Sequence, residues 1–179
     1  MGALGISLAT MVANLSSHKP GWDERWEEFS EWAEKGQALK DELLILVDED
    51  TRAFNLIMDA FGLPKGNDAE KVARTTAIQD ATRFAIEVPF RVMQRSFECM
   101  NIIKAMAETG NPNSVTDAGV GALAARSAVM GAFLNVKINA SGLHDKVFVE
   151  KVLSEGNMLQ EKAIAMESEI LSIVNSKIS

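Results

Sequence analysis

Leu39-Lys40-Asp41-Glu42-Leu43-Leu44-Ile45-Leu46-Val47-Asp48-Glu49-Asp50-Thr51-Arg52-Ala53-Phe54-Asn55-Leu56-Ile57-Met58-Asp59-Ala60-Phe61 reads as one long helix. Leu39, Leu43, Leu46, Val47, Ala53, Phe54, Ile57 and Phe61 recur at steps of three and four and form an apolar stripe. Asp50 falls in the middle of that stripe, three after Val47 and four before Phe54. Asp48 lies about 200° around the helix from it, at about 100° per residue. Asp48 is therefore expected to be a solvated acid paired with Arg52 at i+4. Asp50 is expected to point at whatever the stripe covers. A carboxylate there needs a specific partner or has a raised pKa, because burial disfavours its charged form.

The rest of the chain carries the same helical signal. Gly2 to Asn14 reads as a buried helix with Leu4, Leu8, Met11, Val12 and Leu15 on one side. Pro20-Gly21 marks a break. Trp22, Trp26, Phe29 and Trp32 follow at helical spacing, either packing on the core or a partner subunit or stacking on a ligand. Lys35-Gly36 marks a bend before the Leu39 helix, and Gly62 and Pro64 end that helix. Asn67 with Glu70 forms a capping box. The helix it opens runs to about Val88, with Val72, Thr76, Gln79, Arg83 and Ile86 on one face, and stops at Pro89. Another covers Phe90 to Glu108, with Val92, Met93, Phe97, Met100, Ile103 and Met106 as core candidates. Ser114 with Asp117 forms a second capping box before a helix from Val115 to about Asn139. That helix is rich in Gly, Ala and Ser and is expected to be central. A last helix runs from Asp145 to about Ile178, with Gly156 as a bend. No period-two stretch reads as a strand. The fold class is all-α: about six to seven mostly long antiparallel helices around a small-residue-rich central helix, in a single domain over residues 1–179.

Composition narrows the function. The chain has 179 residues, a net charge of -7 and 47 % hydrophobic residues. The acidic balance argues against nucleic acid and against anionic membranes as partners. No apolar run reaches the length of a membrane span without charges, the nearest being Ala118 to Ile138 with Arg126 and Lys137 inside it. The lone Cys99 excludes an internal disulfide and fits a reducing, cytoplasmic setting. His18 and His144 stand apart, so no metal site is expected. No nucleophile elbow or phosphate loop occurs.

Three features could carry chemistry. Asp50 is either a partnered structural acid or a proton-transfer group. The 111–117 loop offers backbone N–H groups at a helix start, where Asn113, Ser114 and Asp117 either cap the helix or meet a ligand. Asn135 and Asn139, one turn apart, either hydrogen-bond a heterocycle or satisfy buried backbone.

Five segments in register complete the reading: Leu46-Val-Asp-Glu-Asp-Thr-Arg-Ala-Phe-Asn55, Ala60-Phe-Gly-Leu-Pro-Lys65, Ala85-Ile-Glu-Val-Pro89, Gly110-Asn-Pro-Asn-Ser-Val-Thr-Asp-Ala-Gly119 and Gly131-Ala-Phe-Leu-Asn-Val-Lys-Ile-Asn139. Together they resemble the formimidoyltetrahydrofolate cyclodeaminase / methenyltetrahydrofolate cyclohydrolase family. The resemblance implies a dimeric (or larger) all-α bundle, free-standing or joined to a formiminotransferase. It implies cyclisation of 5-formimidoyltetrahydrofolate to 5,10-methenyltetrahydrofolate with release of ammonia, with no cofactor beyond the folate. It places the catalytic acid at Asp50, the second acid of Asp-x-Asp, and substrate contacts at Asn113, Ser114, Asp117, Asn135 and Asn139. The alternatives are a cyclohydrolase, or a non-catalytic helical domain that dimerises or retains folate. The glycine-rich segment that usually precedes Gly2-Ala3-Leu4-Gly5 in the family is missing here, which is expected to affect the first helix and the folate site.

Overall fold

The computed structural model describes residues 1–178. It contains five α-helices among the described residues: α1 (Gly2–Ser17), α2 (Trp26–Gly62), α3 (Asp68–Thr109), α4 (Val115–Ala140) and α5 (Lys146–Ile178). Single 3-10 turns at Asp23–Arg25 and Pro112–Ser114 precede α2 and α4. Short connections make sequential helices antiparallel neighbours. The all-α expectation holds, with fewer and longer helices than six or seven.

Two expected breaks are absent. α2 passes through Lys35-Gly36, and Gly36 faces α1: a Cβ there would collide with the Thr10 side chain. α3 passes through Pro89. α5 is likewise continuous through Gly156. That glycine leaves room for the Phe133 ring, which lies where its Cβ would be.

α4 packs against α1, α3 and α5, and its largest interface is with α3. α3 touches all four other helices, so the centre of the bundle is shared by α3 and α4. The core between them holds Met93, Met100, Ile103, Met106, Val129 and Phe133, each at most 1 % exposed. Length and composition alone would let Pro112–Ala140 cross a bilayer, contrary to the reading of its sequence; half of its apolar window is buried inside the bundle, as a core helix would be. The expected cap at Asn67 forms, with Glu70 N–H donating to Asn67 Oδ1 at 2.9 Å and the Glu70 carboxylate accepting from Gly66 N–H at 2.7 Å.

Several stripe assignments need correction. On α1, Leu4, Met11 and Leu15 are exposed, and the buried face is Gly2, Gly5, Ile6, Ala9, Val12 and Ala13. The small residues face inward because α1 lies close to α4. On α2 the buried set is Leu39, Leu43, Leu46, Ala53 and Ala60, while Val47, Phe54 and Phe61 are exposed. Adjacent pairs 46/47, 53/54 and 60/61 fit a helical period equally well, and close packing selects the smaller member of the last two. On α3, Val72 is exposed too. Of the aromatic run, Phe29 is fully buried, Trp22 stacks on it at 5.6 Å between ring centroids, and Trp26 remains more than half exposed.

Cys99 is fully buried, and that burial pushes its thiol up to about 12. The thiolate is the reactive form. A thiol reagent such as 5,5′-dithiobis(2-nitrobenzoate) at pH 8 should therefore leave the native protein unlabelled and label one thiol on unfolding.

Candidate functional site

Asp50 keeps the register of the buried α2 stripe, one step after Leu46 and one before Ala53. Its side chain is nevertheless exposed. In the first turn of α1, Gly2 lies against Leu43, where an added Cβ would be 3.3 Å from the leucine. No group among the described residues bonds or pairs with the Asp50 carboxylate. The expected burial and partner are thus corrected: the stripe is open at Asp50.

The opening is a cleft of about 420 Å³. One wall is α2, with Leu46, Asp50 and Thr51; another is the first turn of α1. Across from them stand Pro89 and Val92 of α3 and Ser127, Gly131 and Asn135 of α4. The last three follow at steps of four, so one face of α4 lines the cleft. That small and polar face was visible in the sequence but was absorbed into the general smallness of α4. Thr51 and Ser127 donate their hydroxyls to Val47 O at 3.3 Å and Leu123 O at 2.8 Å, back along their own helices. Asn135 makes one long bond, Nδ2 to Gly131 O at 3.5 Å. Their oxygens and the carboxylate remain as acceptors around a largely apolar hollow. Such a site suits a flat ligand that carries N–H donors.

Neighbouring charges are placed differently from expectation. Asp48 is exposed and does not pair with Arg52, whose guanidinium lies 5.8 Å from the Phe84 ring centroid. Instead Glu49, unremarked in the sequence, pairs with Arg91 of α3 and fixes α2 against α3 next to Asp50.

The remaining residues lie elsewhere. Asn139 is one turn beyond Asn135, and its Nδ2 donates to Ala85 O at 2.8 Å. Asn113, Ser114 and Asp117 sit at the opposite end of α4, roughly 30 Å from Asn135 at 1.5 Å per residue. There the Ser114 side chain makes no capping bond. The loop is held by Asn111, whose N–H donates to Ser16 Oγ at 2.8 Å and whose Oδ1 accepts from Asn113 N–H at 3.2 Å. Within one chain the structure brings together Asp50 and Asn135 and leaves the 113–117 group apart. Among the described residues, no group of three His, Cys, Asp or Glu side chains is placed to hold a metal.

A family model described as formiminotransferase-cyclodeaminase matches residues 1–158. The chain belongs to this family. A methenyltetrahydrofolate cyclohydrolase from Methylorubrum extorquens is 37 % identical over 99 % of this chain and 86 % of its own length. The formimidoyltransferase-cyclodeaminase of Rattus norvegicus is 29 % identical over 99 % of this chain, which spans 33 % of that longer protein. The solved structure of formiminotetrahydrofolate cyclodeaminase from Thermotoga maritima superposes with a TM-score of 0.85, at 24 % identity, over 99 % of this chain and 85 % of that one. The fold is therefore shared with a helical cyclodeaminase, and folate chemistry of the cyclodeaminase/cyclohydrolase kind is the family's activity.

Proposed function

We propose that the chain cyclises 5-formimidoyltetrahydrofolate to 5,10-methenyltetrahydrofolate and releases ammonia, in the cleft beside Asp50. The observation that carries this reading is a carboxylate left without a partner among the described residues in an otherwise apolar, acceptor-lined cleft. A reduced pterin presents ring N–H and amino donors to such acceptors. In the reaction N10 attacks the formimino carbon, the new C–N bond forms, and the bond to the departing nitrogen breaks. The formimino group enters protonated, with two N–H bonds, and one further proton must pass from N10 to that nitrogen so that it leaves as ammonia and the methenyl cation remains. Asp50 takes and returns that proton, while the cleft walls hold N10 against the carbon. The step requires no metal or redox group.

The cyclohydrolase among the relatives favours a second reading on the same residues. There Asp50 would take a proton from water attacking the methenyl carbon, giving 10-formyltetrahydrofolate. One experiment separates the two. With 5-formimidoyltetrahydrofolate supplied, a cyclodeaminase produces methenyl absorbance with matching ammonia. With methenyltetrahydrofolate supplied at a pH where its spontaneous hydrolysis is slow, a cyclohydrolase bleaches that absorbance and releases no ammonia. Activity in neither assay would leave only a folate-retaining or dimerising domain.

The reading extends to a homodimer. α4 turns Val120, Leu123, Leu134 and Ile138 to solvent, with Ser127 and Gly131 between them on the same stripe. An unpartnered apolar stripe of this length marks an interaction face. Antiparallel pairing of two such stripes about Ser127 would place the partner's 113–117 segment beside this chain's Asn135 and Asn139, since both groups lie on the order of 15 Å from that point. The cleft would then gain the Asn113, Ser114 and Asp117 contacts that one chain does not supply. Leu134→Glu with Ile138→Glu should turn a dimer into a monomer of unchanged helix content in sedimentation experiments and remove turnover. A dimer that survives both charges refutes this interface. A formiminotransferase partner is a further expectation, from the relatives in which the two names are joined.

A further inference from the structure

A proline inside a helix lacks the N–H that would bond the carbonyl four residues earlier, and its ring crowds that carbonyl. α3 runs through Pro89, so Ala85 O is the acceptor that loses its partner. Ala85 is 8 % exposed, and a buried acceptor left unmet costs its desolvation. The missing donor comes from another helix: Asn139 Nδ2 of α4, 2.8 Å away. Alanine at 89 would have kept α3 continuous without help. What proline adds is a ring on the cleft wall and a free carbonyl for α4 to grip. Asn135, one turn before Asn139, is on the facing wall of the same cleft.

We infer that Asn139 is a positioning residue for the cleft: its amide replaces the N–H that Pro89 lacks, fastens α4 to α3 there, and so sets the gap between the Pro89 and Asn135 walls. The ligand named here rests on the folate reading above; the bond does not.

A four-protein cycle tests it, using the full chain, Pro89→Ala, Asn139→Ala and the double variant, with melting temperature and tetrahydrofolate affinity measured for each. Pro89→Ala restores an N–H to Ala85 O. Asn139→Ala should lower Tm by about 5 °C, from one unmet buried acceptor in a domain of this size, and weaken tetrahydrofolate about tenfold. Pro89→Ala should hold or raise Tm and still weaken tetrahydrofolate about tenfold. Because the Pro89 ring itself lines the cleft, the deciding comparison is the double variant, which should bind tetrahydrofolate no more weakly than Pro89→Ala if Asn139 acts only through Ala85 O. The double variant should melt with Pro89→Ala. If Asn139→Ala does not fold, recovery of a folded double variant shows the same coupling. Tm losses that add in the double variant, or a Pro89→Ala protein that binds folate like its parent, overturn the inference. A parent protein that binds no folate overturns the folate reading and the positioning role with it, leaving the Tm cycle to judge the bond alone.

Discussion

Asp50→Asn is expected to lower kcat by about 10²–10⁴-fold, the usual worth of a positioned proton-transfer group, with the melting temperature little changed. The two halves of that result have different causes. The side chain is exposed and no group in the fold depends on it, so the amide costs no hydrogen bond and no ion pair. The amide has nearly the same shape, so KM should shift much less than kcat. It cannot take a proton from N10 and hand it on. Asp48→Asn is the control: it removes an equal charge two residues away, on the far face of α2, and should leave kcat near that of the parent. Ammonia release and methenyl absorbance measured together on both variants check this. An Asp50→Asn enzyme within tenfold of the parent would end the proton-transfer role of Asp50.

Selecting Asp50 over Asp48 required only the helical period, since one lies on the apolar stripe and the other does not. Its environment was not legible. Whether a stripe position is covered depends on where the neighbouring helix lies, and α1 leaves this one open. The same ambiguity produced the error at 46/47, 53/54 and 60/61, where periodicity admits both members and only packing distance chooses. α1 erred in the same way: Leu4, Met11 and Leu15 are the more hydrophobic set, but Gly5, Ala9 and Ala13 are the set that lets two backbones meet.

Pro89 shows a different limit. Local chemistry says that a helix stops there, and within one helix that argument is sound. The reason it continues is Asn139, 50 residues on, which no window of sequence connects to Ala85. In the same way the sequence put the 113–117 loop and Asn135/Asn139 into one list of contacts, since both lie on well-marked motifs. Helix length separates them by most of α4.

Gly5→Ala is expected to be among the most damaging single-methyl changes in this fold. A Cβ at Gly5 would lie 2.7 Å from Gly121 O and 3.1 Å from Ala125 N. Both neighbours are helix backbone, so no side chain can swing aside. α1 and α4 must separate, loosening contacts around Ile6, Ala9, Ala122 and Ala125, all fully buried. Overpacking of this kind costs about 1–3 kcal/mol, or a Tm loss of about 3–10 °C in a domain of this size. Turnover should fall further than stability alone explains, because the first turn of α1 is a wall of the Asp50 cleft and moves with the helix. Gly131→Ala provides the opposite case on α4. Nothing lies within 4 Å of a Cβ there, and alanine favours a helix over glycine by roughly 1 kcal/mol. In the monomeric Leu134→Glu/Ile138→Glu background its Tm should therefore rise by a few degrees, while in the parent the new methyl projects into the cleft beside Asn135 and raises KM. A Gly5→Ala protein that keeps the parent's Tm and turnover would show that the close α1–α4 approach at Gly5 is not what holds that wall in place.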